Sequence, residues 1–246
     1  MNPKFTVVTV SYNSESTIEQ TILSVLNQSF KNFEYLIIDG GSSDSTVEII
    51  KRYEGRFEGR LRWVSESDQG IYYAMNKGID MSTGQYIGLL NSDDWYEPDA
   101  LETVEKSIKG NEDVLYGMLN VWDDEKLKYV YANYVDKIPE ESLAHPSSFI
   151  SQECYSKFGK YTTEFRSTSD YEFFLRLYHA GCSFKFVNGI LANFRCGGMS
   201  AGTLGYFETL QIRYKHGYIS KQQYWKLVLI RKMKNLLSKV KQCLTK

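Results

Sequence analysis

No apolar run in the 246 residues reaches the roughly 18 that a membrane-crossing helix requires, and no secretory leader pattern appears. The expectation is therefore a cytoplasmic protein. Cysteine is scarce. Cys154, Cys182, Cys196 and Cys243 show neither C-x-x-C nor another metal-type spacing, which excludes a thiolate metal site and predicts reduced, ordinary thiols. Net charge is also low, at −1, but it is unevenly spread. Ten Lys or Arg against the single Glu208 give residues 205–246 a balance of +9 and leave −10 for the rest. Basic residues confined to that tail, with no recognition motif beside them, argue against nucleic acid as a partner. What is present is 42% apolar content, enough for one large core in a single domain.

Residues 1–96 alternate strand and helix signals. Thr6 to Val10 is a continuous apolar and β-branched run of the kind a fully buried parallel strand needs, and it ends at Ser11-Tyr12-Asn13-Ser14. Ser16 and Glu19 have capping-box spacing ahead of Ile18, Ile22, Val25 and Leu26 at helical steps. Tyr35 to Ile38 then runs into Asp39-Gly40-Gly41-Ser42-Ser43-Asp44-Ser45-Thr46, a tight turn leading to a helix over Val47 to Tyr53. Leu61 to Val64 and Tyr86 to Leu90 supply two further strands. Open parallel sheets bind ligands beyond the carboxyl ends of their strands. Asn13, Asp39 and the pair Asp93-Asp94 all fall at such ends.

Adjacent carboxylates at a strand end suit Mg²⁺ or Mn²⁺, which takes hard oxygen ligands and completes its shell with substrate phosphates. The pair also fits a helix cap for Glu97 to Ile108, with Pro98 in the first turn. Asp39 has two readings as well: an acceptor for a uracil N–H or a ribose hydroxyl, or a turn-maker ahead of Gly40. Asp44 reads as a cap.

Val7-Val8-Thr9-Val10-Ser11-Tyr12-Asn13, the block Ile37 to Thr46, Ser65-Glu66-Ser67-Asp68-Gln69-Gly70-Ile71-Tyr72-Tyr73-Ala74-Met75-Asn76-Lys77-Gly78 and Asn91-Ser92-Asp93-Asp94 resemble, in order and spacing, the motifs of family-2 glycosyltransferases. The likeness extends over about residues 4–200. It implies an α/β fold of GT-A type, with a Rossmann-like, mostly parallel central sheet flanked by helices, and inverting transfer from a nucleotide-sugar donor. It implies a nucleotide-sugar site at Thr9, Tyr12, Asn13, Asp39, Asp68, Asp93 and Arg195. The cation, Mn²⁺ or Mg²⁺, is expected on Asp94 and Asp93. Asn91 stands where the commonest form of the motif has a third aspartate. Residues 71–78 also read as a helix ended by Gly78, and Lys77 as a residue placed for the helix dipole.

An inverting transfer needs a carboxylate to take the acceptor hydroxyl's proton. Ser169 to Leu177 reads as a helix with Phe173, Phe174 and Leu177 on a core face, and the resemblance gives Asp170 at its head the role of base. A cap is the plainer explanation of Asp170, and Glu172 is the competing acid. Arg195-Cys196-Gly197-Gly198-Met199-Ser200 can bring a guanidinium and close backbone N–H groups to a departing diphosphate, or be a plain loop. His145 with Gly197, Gly198 and Ser200 resembles the subgroup that builds bacterial surface polysaccharide such as O-antigen. That likeness implies phosphate or acceptor contacts at those residues, with glucose or galactose moved from a UDP-sugar to N-acetylhexosamine-diphospho-undecaprenol.

The expected organisation is a catalytic domain over 1–204, divided near residue 96 into donor and acceptor halves, and a tail over 205–246. In the tail Trp225, Leu229, Met233, Leu236, Val240 and Leu244 recur at steps of three and four among lysines and arginines. This is the pattern of a basic amphipathic helix on a membrane surface, here the inner face of the cytoplasmic membrane, or of a helix docked on the domain. A nucleotidyltransferase lacks its Gly-rich basic signature after the first strand. A non-catalytic nucleotide-sugar-binding scaffold is disfavoured by the intact Asp93, Asp94 and Asp170.

Overall fold

The computed structural model describes residues 2–198 and 202–244, with side chains up to Leu237. The apolar runs become parallel strands: β1 (Phe5–Ser11) lies between β2 (Phe33–Asp39) and β4 (Tyr86–Leu89), and β3 (Leu61–Ser65) flanks β2. Every residue of β1 is buried because helices cover both faces. Phe5 and Val7 meet the layer of α1 (Ile18–Leu26) and α2 (Thr46–Glu54), while Val8 and Val10 meet α3 (Ile71–Met81). The expected helices are present with shifted ends. The Ser16–Glu19 capping box does not form: Thr17 is the N-cap without a side-chain bond, and Glu19 instead reaches Arg52 and Tyr53.

Gly78 does not end α3. A side chain there would place its Cβ 2.3 Å from Val8 Cγ1, so the glycine lets the helix press onto β1 and continue to Met81. The segment after Asp94 also departs from expectation. Trp95 and Tyr96 form a short strand, β5, and the helix α4 (Ala100–Ser107) begins after Asp99 at the N-cap position, without a side-chain capping bond, which removes the cap reading of Asp93 and Asp94.

The second half extends the same sheet rather than making another. β6 (Val114–Asp123), β7 (Lys126–Tyr131), β8 (Ser148–Ser151) and β9 (Phe184–Arg195) complete the order β3-β2-β1-β4-β8-β6-β9-β5, with β7 hydrogen-bonded to β6 as a hairpin. β8 pairs antiparallel to β4 and β6, and β9 runs parallel to β6. Behind them pack α5 (Gln152–Phe158) and α6 (Ser169–His179), whose Phe173, Phe174, Leu175 and Leu177 are wholly buried.

The tail is two helices, α7 (Thr203–Lys215) and α8 (Lys221–Leu244). α7 is tied to the body: buried Glu208 accepts from the N–H groups of Arg166 and Ser167 and the hydroxyl of Thr168, just ahead of α6. α8 packs on α7 through Val228, Leu210 and Ile219 and leaves Trp225, Leu229, Met233 and Leu236 more than half exposed. The side chains of Val240 and Leu244 lie outside the described residues. Among the described residues no helix is long and apolar enough to cross a membrane.

Candidate active site

The carboxyl ends of β1 to β4 are fastened to one another. Asn13 adopts a left-handed backbone (φ 48°), donates its N–H to Ser42 Oγ and accepts from the N–H of Ser43, joining the turns after β1 and β2. Asp44 accepts from the N–H groups of Glu15 and Thr46. Asp39 is fully buried beneath this junction. One of its oxygens accepts from Gly41 N, Ser42 N and Ser65 Oγ, the other from Ser42 Oγ and Ser11 Oγ. Burial alone would raise its pKa, but the hydrogen bonds of Ser42, Ser65 and Ser11 outweigh it and hold the carboxyl below its ordinary value. The structure therefore gives Asp39 the work of building the turn.

Above that floor opens a cavity of about 790 Å³, lined from both halves of the chain. Tyr12, Asn13, Ser14 and Asp68 line one end. Tyr12 is 65% exposed, and Asp68 accepts from Gly70 N while its other oxygen lies against Gly40, where an added Cβ would come within 2.7 Å. Asn91, Ser92 and Asp93 enter from the end of β4, and Ser92 Oγ meets Ser14 Oγ at 2.8 Å. His145, Asp170, Cys196 and Gly198 enter from the second half, with Asp93 Oδ2 close under Gly198.

The structure separates the two adjacent acids. Asp93 faces the cavity. Its carboxyl is pushed up by burial, against the pull of its own backbone N–H and of His145 and Arg195. Asp94 does not line the cavity: it is wholly buried and accepts from Arg195 N on Oδ1, while Oδ2 has no hydrogen-bond partner. Burial, then the charge of Asp93, pushes its pKa well up. Asp94, expected on the cation together with Asp93, thus lies behind the cavity lining, beside Arg195 N.

Two other expected donor contacts, Thr9 and Arg195, also do not line the cavity. Thr9 sits fully buried in β1 and accepts from Tyr35 OH at 3.0 Å. Arg195 spends its guanidinium on Asp93 O and Gln20 Oε1, and lies over the Trp95 ring. Lys77 pairs with Glu66. Gly197 has φ 102° and is exposed at the turn beyond β9, and Ser200 lies outside the described residues.

Asp170 stands at the head of α6 with a partner on each oxygen. Tyr72 OH donates to Oδ1 at 3.1 Å, and His145 Nδ1 lies 3.7 Å from Oδ2. Tyr72 escaped the sequence reading. Its signal was its place in the first turn of α3, directly after the Asp68-Gln69-Gly70 turn that faces the cavity. Burial, and next the charge of Asp170, raise its phenol well above the ordinary value, so it remains a donor. Glu172, the competing acid, is bound to Arg176 on the flank of α6.

Among the described residues no cluster of three His, Cys, Asp or Glu could enclose a metal ion. A cation shared with a diphosphate asks less of the protein, commonly one or two carboxylates. Asp93 meets that need, and the buried Asn91 Oδ1 and His145 Nε2, neither of which has a hydrogen-bond partner, are further donor atoms in the cavity lining. The residues fit such a jointly held ion.

Solved structures with the same architecture include S. aureus TarS 1-349 in complex with UDP-GlcNAc. It has a TM-score of 0.69 and 17% identity, over 85% of this chain and 65% of that one. A mannosyltransferase from Pyrobaculum calidifontis in complex with GDP-Man and Mn²⁺ has a TM-score of 0.63 and 15% identity, over 87% and 61%. The chain thus spans less than two thirds of either, and 39% of a longer TarS chain. These likenesses define the class of fold, GT-A. Residues 6–181 match the sequence model of Glycosyl transferase family 2, and the chain belongs to that family. Among curated relatives, a PGL/p-HBAD biosynthesis glycosyltransferase of Mycobacterium bovis is 28% identical over 180 residues, 72% of this chain and 70% of its own. The chondroitin synthase of Pasteurella multocida is 29% identical over 198 residues, 78% of this chain and 20% of its own.

Proposed function

We propose that the chain is an inverting glycosyltransferase that moves a hexose from a UDP-sugar to a lipid-linked saccharide. The observation that carries this reading is the entry of Asp93 and Asp170, from different halves of the chain, into one cavity beside Tyr12, Asn13 and Asp68. Asp170 takes the proton of the acceptor hydroxyl as that oxygen bonds to the anomeric carbon, and the bond from that carbon to the diphosphate breaks on the opposite face. UDP leaves carrying the bonding pair. Asp93 and Asn91 would hold Mn²⁺ or Mg²⁺, which when bound neutralises charge gathering on the diphosphate. Tyr12 and Asp68 supply a ring face and an acceptor at the nucleotide end. The UDP-GlcNAc complex of TarS supports a uridine donor.

The exposed face of α8 supports attachment to an anionic bilayer, where a lipid-linked acceptor would be confined. Trp225, Leu229, Met233 and Leu236 are 56–64% exposed, among Lys226, Arg231, Lys232 and Lys234. Deleting residues 221–246 should release the protein from vesicles containing phosphatidylglycerol, and undiminished binding would sink the attachment.

Radiolabelled UDP-glucose and UDP-galactose should be offered together with synthetic lipid-diphosphate N-acetylhexosamines. Transfer should require Mn²⁺ or Mg²⁺ and should fall by roughly 10³-fold in Asp170→Asn with UDP binding retained. Absence of transfer from every nucleotide-sugar tried would favour a binding scaffold. Full turnover by Asp170→Asn would place the base elsewhere.

A further inference from the structure

The two ends of the cavity differ in chemistry. The nucleotide end is rich in side-chain donors and acceptors, from Asn13, Ser14, Asp68, Asn91, Ser92 and Asp93. Elsewhere in the lining β6, β7 and β9 present one face of the sheet. Leu119 lies opposite Tyr131 and Val121 opposite Tyr129, and Val121 also pairs with Phe194 of β9. Alternate residues of a strand share a face, so these five side chains make one wall, and all five line the cavity. The Tyr131 hydroxyl is already spent on Ser142 O at 2.7 Å. Leu119 and Val121 are buried, whereas Tyr129 is 55% exposed, so the wall runs from the interior out to the free edge of the hairpin.

Such a wall is poorly matched to a saccharide, whose hydroxyls need hydrogen-bond partners once they leave water. It is well matched to hydrocarbon. Resting on the glycosyl-transfer reading above, we propose that the Leu119, Val121, Tyr129, Tyr131 and Phe194 wall is a subsite for the apolar aglycone of the acceptor. The hydrocarbon of the acceptor lies on this wall while a hydroxyl of its sugar faces Asp170. The enzyme then selects acceptors partly by what the sugar is attached to.

The test compares methyl and octyl N-acetylglucosaminide, the octyl form below its micelle concentration, with the full chain. KM should be at least about tenfold lower for the octyl acceptor. Tyr129→Ser should reduce that preference about fivefold or more, and Tyr129→Phe should keep it, because the ring rather than the hydroxyl makes the contact. Equal KM values for the two acceptors would overturn the subsite. So would an equal weakening of both in Tyr129→Ser, which is the mark of a ring stacked on the sugar itself. A preference lost in Leu229→Ser but kept in Tyr129→Ser would move the alkyl contact to α8 and also overturn it. Saturation-transfer NMR reads the same contact without turnover: octyl protons should be saturated by the wild type and much less by Tyr129→Ser. If no donor supports transfer, the catalytic reading falls, and the NMR contrast alone decides the subsite.

Discussion

The nucleotide end and the acceptor end of the cavity are built by different means. The first is polar and assembled from short turns that follow consecutive strands, each pinned to the next through Asp39, Asn13 and Asp44. The second joins an apolar wall to Glu141, Ser142, His145, Arg166, Ser167 and Asp170, and draws on residues far apart in the chain, from the β6–β7 hairpin, the segment around His145, the head of α6 and the end of β9. Hydrogen bonds fix the donor end before any ligand arrives, which suits a site that must hold a nucleotide in one pose. Hydrophobic contact is less directional. It suits a site where the ligand's identity matters more than its last ångström of position.

The sharpest test of the donor end exploits the split between its two acids, and it has the largest expected effect. Asp93→Asn should lower kcat/KM with saturating Mn²⁺ by about 10²-fold, because a cavity-facing charge is lost. Asp94→Asn should instead keep most activity, since an amide oxygen can still accept from Arg195 N. Its signature is in stability. A carboxyl whose folded pKa is raised contributes stability that is complete below the unfolded value of 3.8 and is lost as pH rises through the folded pKa. The asparagine variant cannot ionise, so its Tm should decline less than that of the wild type between pH 5 and pH 8, both read by calorimetry. Equal loss of activity in the two variants would return Asp94 to the ion.

Next in size is the floor itself. Asp39→Ala leaves donors from Gly41, Ser42, Ser11 and Ser65 without their acceptor, at an expected loss of about 3 kcal/mol, or roughly 6–12 °C in Tm. Tyr129→Ser at the half-exposed edge of the acceptor wall should cost under about 1 kcal/mol. If the two variants unfold at similar temperatures, the contrast between a prebuilt donor end and a permissive acceptor end collapses.

The donor end was also the more legible in the sequence, for the same reason. A buried parallel strand announces itself as a continuous apolar run, so β1 to β4 and the turns after them could be placed from local signals alone. The alternation along β1 also places Thr9 on the face of Val7, pointing into the core. Local signals could not say which of Asp93 and Asp94 turns inward, because that depends on the backbone of one tight turn and on Arg195, a hundred residues away. Nor could they show that Arg195 is spent on Asp93 O and Gln20. β7 alternates Leu127, Tyr129 and Tyr131 with Lys126 and Lys128, but so short a run does not show which strand it pairs with, so the apolar wall appears only once the register with β6 is known. Local signals placed Asp170 at a helix head, whereas its part as base was implied by the family resemblance alone.

A smaller loss of turnover than that of Asp93→Asn probes the joint between the ends. Tyr72 belongs to α3, beside the nucleotide turns, yet its hydroxyl donates to Asp170 on the acceptor side. It is 6% exposed, so water cannot easily replace it when the hydroxyl is removed. The donor fixes the carboxylate at Oδ1 and leaves Oδ2, which faces His145 at 3.7 Å, for the acceptor proton. Tyr72→Phe should therefore lower kcat about tenfold, as expected for one hydrogen bond to a charged group. KM for the UDP-sugar should stay nearly constant, because the nucleotide turns are untouched. A purely structural tyrosine would behave differently: its loss would move Tm and both kinetic constants together. An unchanged kcat with a lowered Tm would show that the two ends are joined by packing alone and that Asp170 keeps its orientation without help from α3.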